Sequence, residues 1–137
     1  MPHARSLKSV VVALVLVSCG KSDSPVGTSD VVGAWVGTTS QQQPLSFTVA
    51  SSGVTDGTFS YQMTHTCTST TRIQITTTQP LPVNGGGFTT GKTQIGTSTF
   101  YTATGKFTSS TAATGTLLIQ DGVCRDTLNL TWTASRQ

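Results

Sequence analysis

Few side chains in this 137-residue chain could do chemistry. It has five acids, all aspartate, two histidines and three cysteines, and only His65 and Asp126 suggest a working couple. Set side by side, they would form a buried or rim ion pair that favours the protonated imidazole. A His-Asp couple is also two thirds of a hydrolytic triad. No G-x-S-x-G turn or comparable nucleophile context accompanies it, so a structural ion pair is the simpler reading. The other acids, Asp23, Asp30, Asp56 and Asp121, mostly sit in linker or turn sequence, whereas glycosidases generally flank the scissile bond with two carboxyls. A turn role accounts for them. No catalytic, cofactor or metal site is assigned, because structural zinc asks for four ligands in paired spacings.

The leader is more informative. Residues 1 to 8 carry Arg5 and Lys8 and no acid, Val10 to Val17 are uninterruptedly apolar, and small residues follow, which is the layout of a secretory signal peptide. That apolar run is too short to span a bilayer, which takes about 20 residues. Leu16-Val17-Ser18-Cys19-Gly20 resembles the lipobox of bacterial lipoproteins. The resemblance implies removal of residues 1 to 18 and lipidation of Cys19 by two or three acyl chains, palmitate among them. Each buried methylene adds roughly 0.8 kcal/mol, and two chains suffice for stable anchoring. Gly20 stands where some lipoproteins carry an inner-membrane retention aspartate, so the resemblance favours the outer membrane in a cell that has one.

Losing residues 1 to 18 leaves six basic residues against five acids. That near-neutral balance carries no electrostatic footprint for nucleic acid, which needs clustered Lys and Arg. With Cys19 given to lipid in an exported protein, Cys67 and Cys124 remain as an even pair, and a disulfide between them is the default in an oxidising compartment. Closing a loop of about 58 residues would stabilise the fold by about 4 kcal/mol on the chain-entropy picture. Against a typical domain stability of roughly 5 to 15 kcal/mol, that is a large share.

Residues 19 to 30 read as the lipidated cysteine and a flexible linker, polar and broken by Pro25 and Gly27. Residues 31 to 137 read as one β domain. No 3.6-residue apolar period of useful length appears there, while short alternating runs recur. The expected strands are Val31 to Thr39, Leu45 to Ala50, Thr58 to Cys67, Thr71 to Thr77, Gly87 to Thr90, Thr97 to Thr108, Thr114 to Gln120 and Cys124 to Thr133. Turns fall at Ser51-Ser52-Gly53, Asn84-Gly85-Gly86 and Asp121-Gly122, where Gly or Asn takes positive φ cheaply, and Asp56-Gly57 reads as a bulge or second turn. About eight short strands predict an all-β fold: an antiparallel β-sandwich, with an eight-stranded up-and-down barrel as the alternative. Period 2 puts Phe59, Tyr61, Met63, His65 and Cys67 on one face, and Cys124, Asp126, Leu128, Leu130 and Trp132 on another. If those strands are antiparallel neighbours, Cys67 faces Cys124, His65 faces Asp126 and Phe59 faces Trp132. The competing arrangement separates the strands and lets the same faces meet across the core.

Trp35 and Trp132 lie near the two ends of the domain and read as core, with first and last strands adjacent. Leu45, Phe47, Ile73, Ile75, Phe88, Phe107, Leu117 and Ile119 would fill the rest. Phe100 and Tyr101 point opposite ways. Thr is abundant but lacks the fixed repeat of a regular ice-binding array. The segment Gly33-Ala34-Trp35 is similar to the G-x-W on the first strand of the lipocalin and avidin group, and that likeness implies a barrel with a ligand cavity. Together these readings predict a lipid-anchored cell-envelope protein whose β domain is a binding or structural module, the alternative being a lipocalin-like carrier of a small apolar ligand. Its partners would be the membrane and an envelope protein, glycan or small ligand.

Overall fold

The computed structural model describes residues 25–63 and 70–137, with backbone alone for 70–78. Cys19, His65 and Cys67 lie outside the described residues. A short 3-10 turn, Thr28–Val31, leads into β1 (Gly33–Thr39), β2 (Pro44–Ala50), β3 (Gly53–Gln62), β4 (Thr70–Leu81), β5 (Gly87–Thr89), β6 (Thr93–Ile95), β7 (Thr99–Phe107), β8 (Ala112–Asp121) and β9 (Asp126–Arg136). All pairings are antiparallel. The strands form a single sheet in the order β4-β3-β2-β1-β9-β8-β7-β5, with β6 also on β7, nearly closed into a barrel.

The all-β expectation holds, and of its two architectures the single rolled sheet is the up-and-down barrel rather than the two-sheet sandwich. Short turns impose this order. Ser40–Gln43 and Ser51–Ser52 fold β1, β2 and β3 into a meander, so β2 and β4 occupy both edges of β3 and the free edge of β1 goes to β9. The expected ladder between the Phe59 and Trp132 strands therefore does not form. Their inward faces meet across the interior instead, with the Phe59 and Trp132 rings edge to face at 5.8 Å.

Strand limits moved where local chemistry competed. Val31 belongs to the 3-10 turn because its carbonyl accepts the Trp35 indole N–H at 2.9 Å, so β1 starts at Gly33. The third strand begins at Gly53, five residues before the expected Thr58, and Asp56 and Gly57 pair within it opposite Thr48 and Phe47. The irregularity lies just beside them, where the register shifts between Val54 and Asp56. Cys124 sits in the turn before β9 rather than on the strand. The Asn84–Gly87 connection is a two-residue hairpin turn with reciprocal backbone bonds of 2.8 and 3.0 Å. It needs positive φ at Gly85 (57°) and Gly86 (77°), which glycine adopts without a Cβ penalty.

Alternation places the core. Along β9, Asp126, Leu128, Leu130, Trp132 and Ala134 are buried while Thr127, Asn129, Thr131 and Thr133 face out, the threonines suiting a pleated, wetted surface. Inside lie Trp35, Leu45, Phe47, Val49, Phe59, Tyr61, Met63, Phe88, Tyr101, Phe107, Leu117 and Ile119. The barrel has two ends. Residues 25–31, Gly53, the Asn84–Gly87 turn, the Thr108–Thr111 turn and Arg136 form one, called here the tether end. Ser40–Gln43, Gln62, Gly96–Ser98 and the Asp121–Asp126 turn form the far end.

Candidate functional site

The sequence-predicted site residues that are described, Cys124 and Asp126, gather at the far end around Asp121. One carboxylate oxygen of Asp121 accepts the backbone N–H groups of Val123 and Cys124, both at 2.8 Å. Its other oxygen accepts the Thr99 hydroxyl at 3.1 Å, and Gly122 N–H donates to the Ser98 carbonyl at 3.0 Å. These bonds tie the β8–β9 turn to the start of β7. Aspartate suits the position because its short carboxylate reaches amides two and three residues on. Arg125 closes the turn at φ 50°, a left-handed conformation that costs a non-glycine residue about 1 kcal/mol or more. Cys124 and Asp126 are buried at 9% and 8% exposure, whereas Val123, between Gly122 and Cys124, is 70% exposed.

Asp121 and Asp126 are direct ladder partners, so the turn brings two carboxylates together. The Asp121 carboxylate is committed to two amides and a hydroxyl and serves as turn glue, which agrees with the turn role expected of it. An open cavity of about 350 Å³ lies beside the turn, lined in part by Ser98, Phe100, Gln120 and Arg125. The Lys92 ammonium sits 4.6 Å from the centroid of the Phe100 ring, a cation–π contact worth roughly 0.5–1 kcal/mol at an exposed site. Phe100 thus faces outward and Tyr101 inward, as their adjacency required. Burial raises the Tyr101 phenol above its ordinary value, and a hydrogen bond with the Thr93 side chain partly offsets this.

Sequence reasoning missed Gln41. Its side-chain amide donates to the Gln62 carbonyl at 2.9 Å and accepts the Gln62 N–H at 2.8 Å, imitating a strand partner where β3 ends. A run of three glutamines in a turn gives no signal of which one does this.

A ligand cavity would have to compete with the rings of the interior. Trp35 stacks on Phe47 with centroids 5.8 Å apart and planes 3° apart, and Phe107 packs against Trp35 at 5.1 Å. Phe47 contacts Phe88 at 5.6 Å and Trp132 at 5.8 Å. Such pairs add about 0.5–1.5 kcal/mol each beyond area burial. The G-x-W tryptophan is thereby a packing element, with Trp35 fully buried and Trp132 at 2% exposure. The Trp132 indole N–H has no hydrogen-bond partner among the described residues.

Compared with protein-family models, curated proteins and solved structures, the chain matches none.

Proposed function

We propose that this protein is a lipid-anchored component of a bacterial cell envelope, tethered through Cys19, whose barrel is a binding or structural module stapled by a Cys67–Cys124 disulfide. The observation that carries the reading is the leader, a basic start and an apolar run ending in Leu16-Val17-Ser18-Cys19-Gly20. A buried Cys124 at the far end is compatible with the staple, and closure of so long a loop supports a domain of this size. His65 and Asp126 are kept as a structural ion pair. Metabolic labelling with a fatty acid tests the anchor: wild type takes up label and Cys19→Ala does not. Equal labelling of the two refutes it.

A lipocalin-like carrier is the second reading, favoured by the up-and-down strand order. Rings that touch from Trp35 through Phe47 to Trp132 and Phe59 occupy the space a ligand would use. The module is therefore the better account. Saturable uptake of an apolar dye, quenching tryptophan emission, would reverse that order.

A further inference from the structure

We propose that the tether end of the barrel rests against the headgroups of an anionic bilayer, with Lys106 directed to the lipid phosphates, an inference that rests on the lipidation of Cys19 proposed above. The argument begins with reach. From Cys19 to Pro25 the chain has six steps, which span about 20 Å at most when extended. Pro25 and Val26 lie against the Asn84–Gly87 turn, where they line a cavity of about 390 Å³ together with Gly86, Lys106 and Phe107. A second cavity of about 440 Å³ shares Gly85 and Lys106. Lys106 therefore stands between two grooves at the end where the tether enters. Its side chain is exposed, and its ladder partners are Gly87 and Thr114, so no carboxylate faces it there.

The far end lies too distant to take the same place on an upright barrel. β8 runs ten residues from Ala112 to Asp121, and at ~3.3 Å per residue and a barrel tilt of ~40° it separates the ends by about 25 Å. Charge favours the same orientation. The tether end presents Lys106 and Arg136 against Asp30, and the Arg136 guanidinium donates to the carbonyls of Asp30 and Val32 at 2.9 and 3.4 Å rather than to a carboxylate. The far end carries Asp121 and the buried Asp126, with Arg125 and the Lys92 ammonium over Phe100 to balance them. An anionic surface attracts the first end, by about 1 kcal/mol per basic residue close to it, and has no net charge to draw in the second.

Hydrogen exchange on the full-length lipidated protein tests this, in nonionic detergent and in vesicles of phosphatidylethanolamine with phosphatidylglycerol, or of phosphatidylcholine alone. Peptides covering 83–90 and 105–113 should exchange about fivefold more slowly on the anionic vesicles than in detergent, the equivalent of one basic residue at the surface, with the Asp121–Asp126 turn unchanged. Lys106→Gln should remove most of that slowing and Lys106→Arg should restore it. Slowing that is absent, confined to the far turn, or equal on phosphatidylcholine overturns the proposal. Intact mass of the same sample separates the two readings. Without acyl mass on Cys19 both fall, and with it but no slowing only the orientation falls.

Discussion

The indole nitrogen of Trp35 donates to the carbonyl oxygen of Val31 across 2.9 Å, locking the first strand to the turn before it. Trp132, close by in the same ring cluster, has a buried N–H with no partner among the described residues. The two tryptophans should therefore respond differently to the same substitution. Trp35→Phe strands a buried carbonyl and loosens the entry turn, at a cost of about 2–4 kcal/mol. Trp132→Phe loses ring area but also relieves an unsatisfied donor, so it should cost at least ~1 kcal/mol less. Urea unfolding of both variants checks this, and equal losses would count against it.

Close packing against glycine gives a sharper expectation. A Cβ on Gly115 would collide with the Thr104 carbonyl and the Trp132 ring, and one on Gly105 with the Phe88 ring. Backbone cannot yield as a flexible side chain can. Gly115→Ala should cost roughly 3 kcal/mol or more, as overpacking with backbone displacement does, and should exceed the loss for Gly91→Ala, whose Cβ meets nothing within 4 Å and which suffers only its φ of 64°. Circular dichroism melts of the two variants make the comparison.

Asp121→Ala removes the acceptor of two amides and a hydroxyl at the far turn. Hydrogen bonds to a charged group contribute about 1.5–3 kcal/mol, so a loss of that order is expected. Asp121→Asn, which keeps one accepting oxygen, should lose less. Faster exchange of the Val123 and Cys124 amides in the alanine variant would place the effect at the turn.

Tyr101 makes alkaline stability titratable. Burial raises its folded pKa above the ordinary 10.0, so the unfolded chain ionises first as pH rises. The stability it protects is fully present below about pH 10 and is lost as pH climbs from there through the folded value. Tyr101→Phe should flatten that decline between neutral pH and strong alkali, measured by urea unfolding across the range.

The proposed disulfide sets the largest single expectation. Reduction, or Cys67→Ser with Cys124→Ser, should cost about 4 kcal/mol by restoring freedom to a loop of about 58 residues. Non-reducing peptide mass analysis should find Cys67 joined to Cys124, and two free thiols would remove the staple.

Period 2 made much of the interior readable in advance, because each strand buries every second residue: Phe59, Tyr61, Leu128, Leu130 and Trp132 all face in as their spacing required. The adjacency of first and last strands was also legible from Trp35 and Trp132. The partner of each strand was not, since the alternation of β3 looks the same whether its neighbour is β2 or β9. Only turn length separates those cases. Competing local bonds were hidden as well, for nothing in Thr28–Val31 announces that an indole seven residues after Thr28 will claim the last carbonyl of that turn. At the far end, Asp121-Gly122 signalled a turn, but the hold of Asp121 on Thr99 depends on a strand 22 residues earlier.

The pairing of β1 with β9, Trp35 opposite Arg136 and Thr39 opposite Trp132, governs when this protein can assemble. A chain made from its N-terminus offers β1 and β2 about a hundred residues before their ring can close, and such distant pairings form slowly. Throughout that interval the open side of β1 is a bare template for any passing strand, a known route to aggregation. Synthesis and folding are thus ordered in time, since the barrel locks only after its final stave has arrived.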